Sequence, residues 1–135
     1  NHGAKKIVAI EKNRIIAQLC KKNIFSLRDI QSRGNDIEVN CRDVFSWIEE
    51  YRIKNITQKS KFKKQPFDFI YIDPPYKSNF NELLLNKLFN SYIIKKSTLI
   101  IYEHSKEEQI KVDEKYKITD VRSYGQTKLT FLIKI

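Results

Sequence analysis

The feature that most constrains this chain is an alternation. Short apolar runs that end in an acid take turns with stretches whose apolar residues recur at helical spacing. Lys6 to Glu11 (KIVAIE) is the first such run and has the pattern of a strand buried in a parallel sheet. From Lys12 to about Leu27, the spacing of Ile15, Ile16, Leu19, Cys20 and Ile24 predicts a helix. Asp36 to Asn40 alternates as a second strand after the Arg33-Gly34-Asn35 turn. Asp43 then stands at an N-cap position before the helix that begins at Val44. Residues 52–66, with six Lys or Arg and no acid, read as a loop. Phe67 to Ile72 (FDFIYI) is a third strand, Phe80 to Tyr92 a helix, and Thr98 to Glu103 a fourth strand; 105–111 read as a short helix. Tyr116 to Val121 and Lys128 to Ile133 read as a hairpin around Ser123-Tyr124-Gly125-Gln126. The expectation is an α/β fold, a mostly parallel sheet closed by a C-terminal antiparallel hairpin.

Composition narrows the partners. At 135 residues the chain has room for one domain, and 41% hydrophobic with 12% aromatic residues is ample for a packed core, which argues against disorder. No apolar run approaches the ~18–20 residues of a membrane span, and no signal peptide opens the chain. Cys20 and Cys41 are too few for a disulfide framework and lack metal-ligand spacing with His2 and His104, so a cytoplasmic protein without a metal is expected. The net charge of +10 favours a polyanion, nucleic acid first. The chain opens Asn1-His2-Gly3 and holds no methionine, as a segment of a longer protein would.

In parallel sheets ligands bind beyond the carboxyl ends of strands. Here those ends carry Glu11, Asn40 to Asp43, Asp73 to Tyr76, and Glu103-His104. Asp73-Pro74-Pro75-Tyr76 is the most informative. The exocyclic amine of a base is a poor nucleophile because its lone pair is delocalised into the ring. A carboxylate and a backbone carbonyl side by side can accept both of its N–H bonds, and proline supplies a rigid backbone without a competing donor. An aromatic ring just beyond can stack on the base, worth roughly 1–3 kcal/mol. In isolation Asp-Pro-Pro is a strand-stopping turn; after a buried strand in an α/β chain, the amine-holding reading leads. Glu11 is placed to accept ribose hydroxyls or to cap the next helix, and Asp43 to bond an adenine amine or to cap its own. His104 reads equally as structural or catalytic, and Trp47 and Tyr51 as core.

These residues resemble the class I S-adenosylmethionine-dependent methyltransferases, in particular the family that methylates guanine N2 in small-subunit ribosomal RNA. The resemblance spans the chain through HGAKKIVAIEKN at 2–13, CRDVFSWI at 41–48, FDFIYIDPPYKSNF at 67–80, LIIYEHS at 99–105 and RSYGQTKLTFL at 122–132. It implies a Rossmann-like fold, S-adenosyl-L-methionine as cofactor, and ribosomal RNA or the small ribosomal subunit as partner. It implies that Glu11 and Lys12 bind the cofactor at its ribose, that Asp43 and Val44 flank its adenine, and that Asp73, Pro74, Pro75 and Tyr76 hold the target amine. The sequence departs from the family in one respect. The acidic, glycine-rich loop that opens these enzymes has no counterpart, since Gly3, Gly34 and Gly125 are the only glycines.

The strand carrying that loop would lie mid-sheet, between Ile7–Glu11 and Phe67–Ile72. Residues 1–135 are therefore expected to be the carboxy-terminal part of one methyltransferase domain, inactive alone. The gap would be filled by an associated N-terminal segment, by a second copy, or by direct pairing of those two strands. The lysines of 52–66 fall at the amino ends of strands, away from the active face. Lys12, Arg14, Arg42, Lys77, Arg122 and Lys128 lie at the active end and are the candidate phosphate contacts. An adenine-N6 or other amino methyltransferase and a non-catalytic RNA-binding fragment are the competing functions.

Overall fold

The computed structural model describes residues 4–26, 36–57, 65–74 and 80–135. Its elements run β1 (Lys6–Glu11), α1 (Arg14–Ser26), β2 (Asp36–Cys41), α2 (Val44–Thr57), β3 (Phe67–Ile72), α3 (Phe80–Phe89), β4 (Ile94–Ser105), β5 (Tyr116–Tyr124) and β6 (Thr127–Lys134). The chain divides into two compact units, 1–47 and 48–135, with the boundary inside α2.

In the first unit β1 and β2 pair in parallel, Lys6 opposite Asp36 and Glu11 opposite Cys41. Helix α1 starts at Arg14 because Asn13 caps it: the Asn13 side-chain oxygen accepts from the Ile15 and Ile16 amides at 2.9 and 3.2 Å. The helix lies against both strands, with Ala17 as its buried residue. Ile15, Ile16 and Leu19, the stripe that predicts the helix, stand exposed.

The second unit holds a four-stranded sheet in the order β3-β4-β6-β5. Strands β3 and β4 are parallel, while β4–β6 and β5–β6 are antiparallel. Among the described residues parallel and antiparallel pairings are equal in number, so the sheet structure is mixed rather than mostly parallel. One face of the sheet is buried: Ile72, Ile100, Tyr102, His104, Thr130 and Leu132 lie on it. Helix α3 contributes Leu84, Leu85 and Leu88 to the core and is pinned by Tyr116, whose hydroxyl donates to the Leu85 carbonyl at 2.6 Å. The Tyr116 ring also meets Phe89 edge-on at 5.8 Å. Phe69 and Tyr71 alternate to the other face and are 70% and 59% exposed.

Two segments depart from expectation. The loop expected over 52–66 is helical as far as Thr57. Arg52 pairs with Glu49 at 2.5 Å and Lys54 with Glu50 along the helix, and the buried Tyr51 and Asn55 anchor it. Residues 58–64 lie outside the described residues. No helix forms over 105–111; a single turn, Glu108 N–H to the Ser105 carbonyl at 3.1 Å, follows β4. That segment has one apolar residue, Ile110, and so no stripe to bury. Within the units β1 pairs with β2, and β3 with β4. The hairpin forms as expected, with Gly125 at φ +60° in the first position of a two-residue turn, the geometry in which glycine is favoured.

Candidate active site

In the first unit the site residues gather at the carboxyl end of the β1–β2 pair. The Arg42 amide donates to the Glu11 carbonyl at 3.1 Å, tying the two strand ends together. One Glu11 carboxylate oxygen accepts from the Asn13 amide at 2.6 Å. The other takes no hydrogen bond from a described residue, so Glu11 both braces the turn before α1 and keeps an acceptor for hydroxyl groups. Asp43 resolves in the same way. Its Oδ1 accepts from the Phe45 and Ser46 amides at 3.0 and 3.1 Å, which makes it the cap of α2. Its Oδ2 is left as an acceptor. Val44 follows, half-buried, as the first residue of the helix. Lys12 and Arg14 are exposed at this same end, and Arg42 stands on the adjoining turn.

A nucleoside needs acceptors for its ribose hydroxyls and for its adenine amine. Glu11 and Asp43 each keep one carboxylate oxygen as an acceptor at this end, which fits that half of S-adenosylmethionine. Among the described residues no group of three or more His, Cys, Asp or Glu side chains could hold a metal ion.

In the second unit Asp73 and Pro74 follow β3 directly, Asp73 exposed and Pro74 buried. Pro75, Tyr76 and Lys77 lie outside the described residues. Tyr71 and Asp73 share one face of the chain, as do Ile101 and Glu103 on β4, and Tyr71 is opposite Ile101. The Tyr71 hydroxyl donates to the Glu103 carboxylate, and that bond pushes the phenol up to about 12. Partial burial, and then the charge of Glu103, hold the Asp73 carboxyl above its ordinary value. The second carboxylate, Glu103, is therefore part of Asp73's surroundings. Its position at the end of a buried strand is the signal that singles it out in the sequence, but not its pairing with Tyr71.

His104 is structural. It is buried, its Nδ1 meets the Ser105 carbonyl at 2.9 Å, and its Nε2 meets the Thr130 hydroxyl at 2.9 Å. A carbonyl can only accept, so Nδ1 carries the proton and both ring nitrogens are used. Tyr51 is core, as expected, its hydroxyl donating to the Gln65 carbonyl at 2.5 Å. Among the expected phosphate contacts, Arg122 is engaged by Asp120 at 2.8 Å and lies over the Phe131 ring at 5.0 Å. Lys128 sits half-buried on β6, opposite His104 and Ser123.

In each unit of this α/β chain the acids stand at the carboxyl ends of a parallel strand pair, Glu11 and Asp43 in the first and Asp73 and Glu103 in the second. The chain belongs to the family described as conserved hypothetical protein 95, which matches residues 1–133. It is 29% identical over 101 residues to an uncharacterized methylase of Rickettsia prowazekii, a match covering 70% of this chain and 43% of that protein. It is 31% identical over 71 residues to ribosomal RNA small subunit methyltransferase D of Buchnera aphidicola, covering 53% of this chain and 37% of that one. The chain thus spans less than half the length of both curated relatives. In fold it resembles a protein titled a candidate methylase from Haemophilus influenzae, with a TM-score of 0.72 at 22% identity over 98% of this chain and 74% of the other. A conserved hypothetical protein of Streptococcus pyogenes gives 0.76 at 18% identity with the same coverage.

Proposed function

We propose that residues 1–135 are the carboxy-terminal part of a single S-adenosylmethionine-dependent methyltransferase domain that acts on the exocyclic N2 of guanine in small-subunit ribosomal RNA. The observation that carries this reading is Asp73-Pro74 at the carboxyl end of β3, with the Asp73 carboxyl held above its ordinary value by burial and by Glu103. The names carried by the curated relatives, a methylase and a ribosomal RNA methyltransferase, support it.

In this reading the Asp73 carboxylate accepts one N–H of the target amine and the Pro74 carbonyl the other. Both bonds draw the nitrogen lone pair out of the ring and aim it. When bound, the cofactor supplies an electrophilic methyl group on its sulfonium. The nitrogen that gains the methyl becomes acidic, and the Asp73 carboxylate is the nearest acceptor for its proton. A carboxyl with a raised pKa suits that exchange. Glu11 and Lys12 hold the ribose side of the cofactor and Asp43 and Val44 its adenine, with Asp43 still capping α2. Pro75 and Tyr76 complete the amine site by extension of the motif. Arg14, Arg42, Lys77, Arg122 and Lys128 contact RNA phosphates, which positions the RNA without reading its sequence.

The test is nucleoside chromatography of small-subunit ribosomal RNA, free and in assembled subunits, after incubation of the full-length protein with labelled S-adenosylmethionine. N2-methylguanosine is the expected product. N6-methyladenosine or N4-methylcytosine would replace guanine as the target, and RNA binding without cofactor binding would make the protein a non-catalytic RNA-binding module.

A further inference from the structure

The hairpin of β5 and β6 brings an exposed aromatic ring to the end of the sheet that carries Asp73. Residues paired across neighbouring strands share a face, as do alternate residues along one strand. Tyr71 is opposite Ile101, so Asp73, two residues on, falls beside Glu103. Glu103 is opposite Leu129, and Leu129 is opposite Arg122. One row thus crosses this face from Asp73 on β3 to Arg122 on β5. The next row toward the end of the sheet holds Ser105, Thr127 and Tyr124. Three strand spacings across and two residues along separate Tyr124 from Asp73, about 16 Å.

Tyr124 directly precedes the two-residue turn at Gly125 and is 58% exposed. The Gln126 carbonyl accepts from the Lys106 amide at 2.7 Å, which ties that turn to the segment after β4. Among the described residues no other aromatic ring meets Tyr124, whereas Tyr71, on the same face, commits its hydroxyl to Glu103. Cations flank the ring. Arg122 lies two residues back and borders the Tyr124 hydroxyl, itself fixed by Asp120 at 2.8 Å and the Phe131 ring at 5.0 Å. Lys106 stands exposed beside the turn. An exposed tyrosine alone asks for no partner. A fixed ring between cations, on the face and at the end where the target amine is held, has the makings of a platform for single-stranded nucleic acid. Enzymes that act on a base take it out of its stack, which leaves its neighbours short of a stacking partner. At about 16 Å from Asp73 the ring lies beyond the target base and meets another nucleotide of the same strand.

We propose that Tyr124 stacks on an unpaired base of the substrate RNA near the methylated nucleotide, and so positions the strand without taking part in methyl transfer. The proposal rests on the RNA methyltransferase reading above. It adds to the phosphate contacts of Arg122 and Lys128 a contact that salt does not screen.

The experiment is steady-state methylation of small-subunit ribosomal RNA, free or in assembled subunits, whichever the wild type methylates. It compares full-length wild type with Tyr124→Phe, which keeps the ring, and Tyr124→Thr, which keeps a strand-forming residue without it. Tyr124→Thr should raise the KM for RNA about tenfold, with kcat and cofactor affinity near wild type. Tyr124→Phe should behave as wild type. The slope of log KM against log salt should be the same in all three, because stacking releases no counterions, whereas a lost phosphate contact lowers it by about 0.7–0.9. A wild-type KM in Tyr124→Thr would overturn the proposal. So would a Tyr124→Phe as weak as the threonine variant, which would make the hydroxyl the contact, and so would a flattened salt slope or a fall in kcat alone. A wild-type protein that methylates no RNA would overturn the underlying reading, and the proposal with it.

Discussion

Asp43 carries two duties on two different oxygens, and one substitution separates them. Oδ1 caps α2 through the Phe45 and Ser46 amides at 3.0 and 3.1 Å, while Oδ2 faces no described donor. Replacing Asp43 with Ala deletes the cap and should cost about 0.5–2 kcal/mol of stability. Asp43→Asn keeps the capping oxygen and loses only the charge at the helix amino end, worth about 0.3–1 kcal/mol. With its oxygen committed to the cap, however, Asn must place an NH2 where Oδ2 stood. An adenine amine would then face a donor. A lost hydrogen bond to a charged group is worth about 1.5–3 kcal/mol, so cofactor affinity should fall about 10- to 150-fold in a variant that remains folded. Denaturant unfolding and calorimetric titration of S-adenosylmethionine on the full-length protein read the two effects independently. Wild-type affinity in Asp43→Asn would refute the cofactor role, and undiminished stability in Asp43→Ala would refute the cap.

Other substitutions probe the rest of the site. Asp73→Ala should abolish methyl transfer with cofactor affinity within a few-fold of wild type, whereas Asp73→Asn should keep partial activity through its one amide oxygen; radiolabel transfer and calorimetry check both. Glu11→Ala should raise the Michaelis constant for the cofactor by the equivalent of roughly 1.5–3 kcal/mol, with turnover at saturation less affected, as steady-state kinetics would show. The pH profile has a definite sign. Asp73 must be ionised to accept N–H bonds and its pKa is raised, so kcat/KM should fall on acidification at a pH above the ordinary aspartate value of 3.8. Glu103→Gln should move that acid limb downward without restoring the ordinary value, because burial is the larger cause.

What was legible in the sequence was whatever rests on period and punctuation. KIVAIE and FDFIYI form strands with the expected bounds, and the Gly125 turn pins the hairpin. What escaped depends on contacts between distant residues. Strand β4 begins at Ile94 rather than Thr98, with 95–98 forming an irregularity between the Phe67–Ile94 and Phe69–Leu99 pairs; the Thr98 hydroxyl braces it, donating to the Phe67 carbonyl at 2.6 Å and accepting from the Lys95 amide at 2.9 Å. Helix α2 runs on through charged residues because Ile48, Tyr51 and Asn55 continue its buried face while ion pairs brace its exposed side. The Asp-Pro-Pro motif announces itself by residue type. The pairing of Tyr71 with Glu103 does not, since nothing in either residue type names its partner.

The outer edge of β3 has a consequence for handling the protein. Among the described residues of the second unit β3 is an edge strand with two exposed aromatic rings, Phe69 and Tyr71, and an edge strand of that kind is a template on which another chain can add a strand. Proteins often blunt such edges with lysine or proline, and β3 contains neither. The net charge of +10 opposes that addition by repulsion between copies. That repulsion reaches about 10 Å at 0.1 M salt and about 3 Å at 1 M. High salt, the usual remedy for stripping nucleic acid from a basic protein, therefore weakens that repulsion and should favour strand addition at this edge.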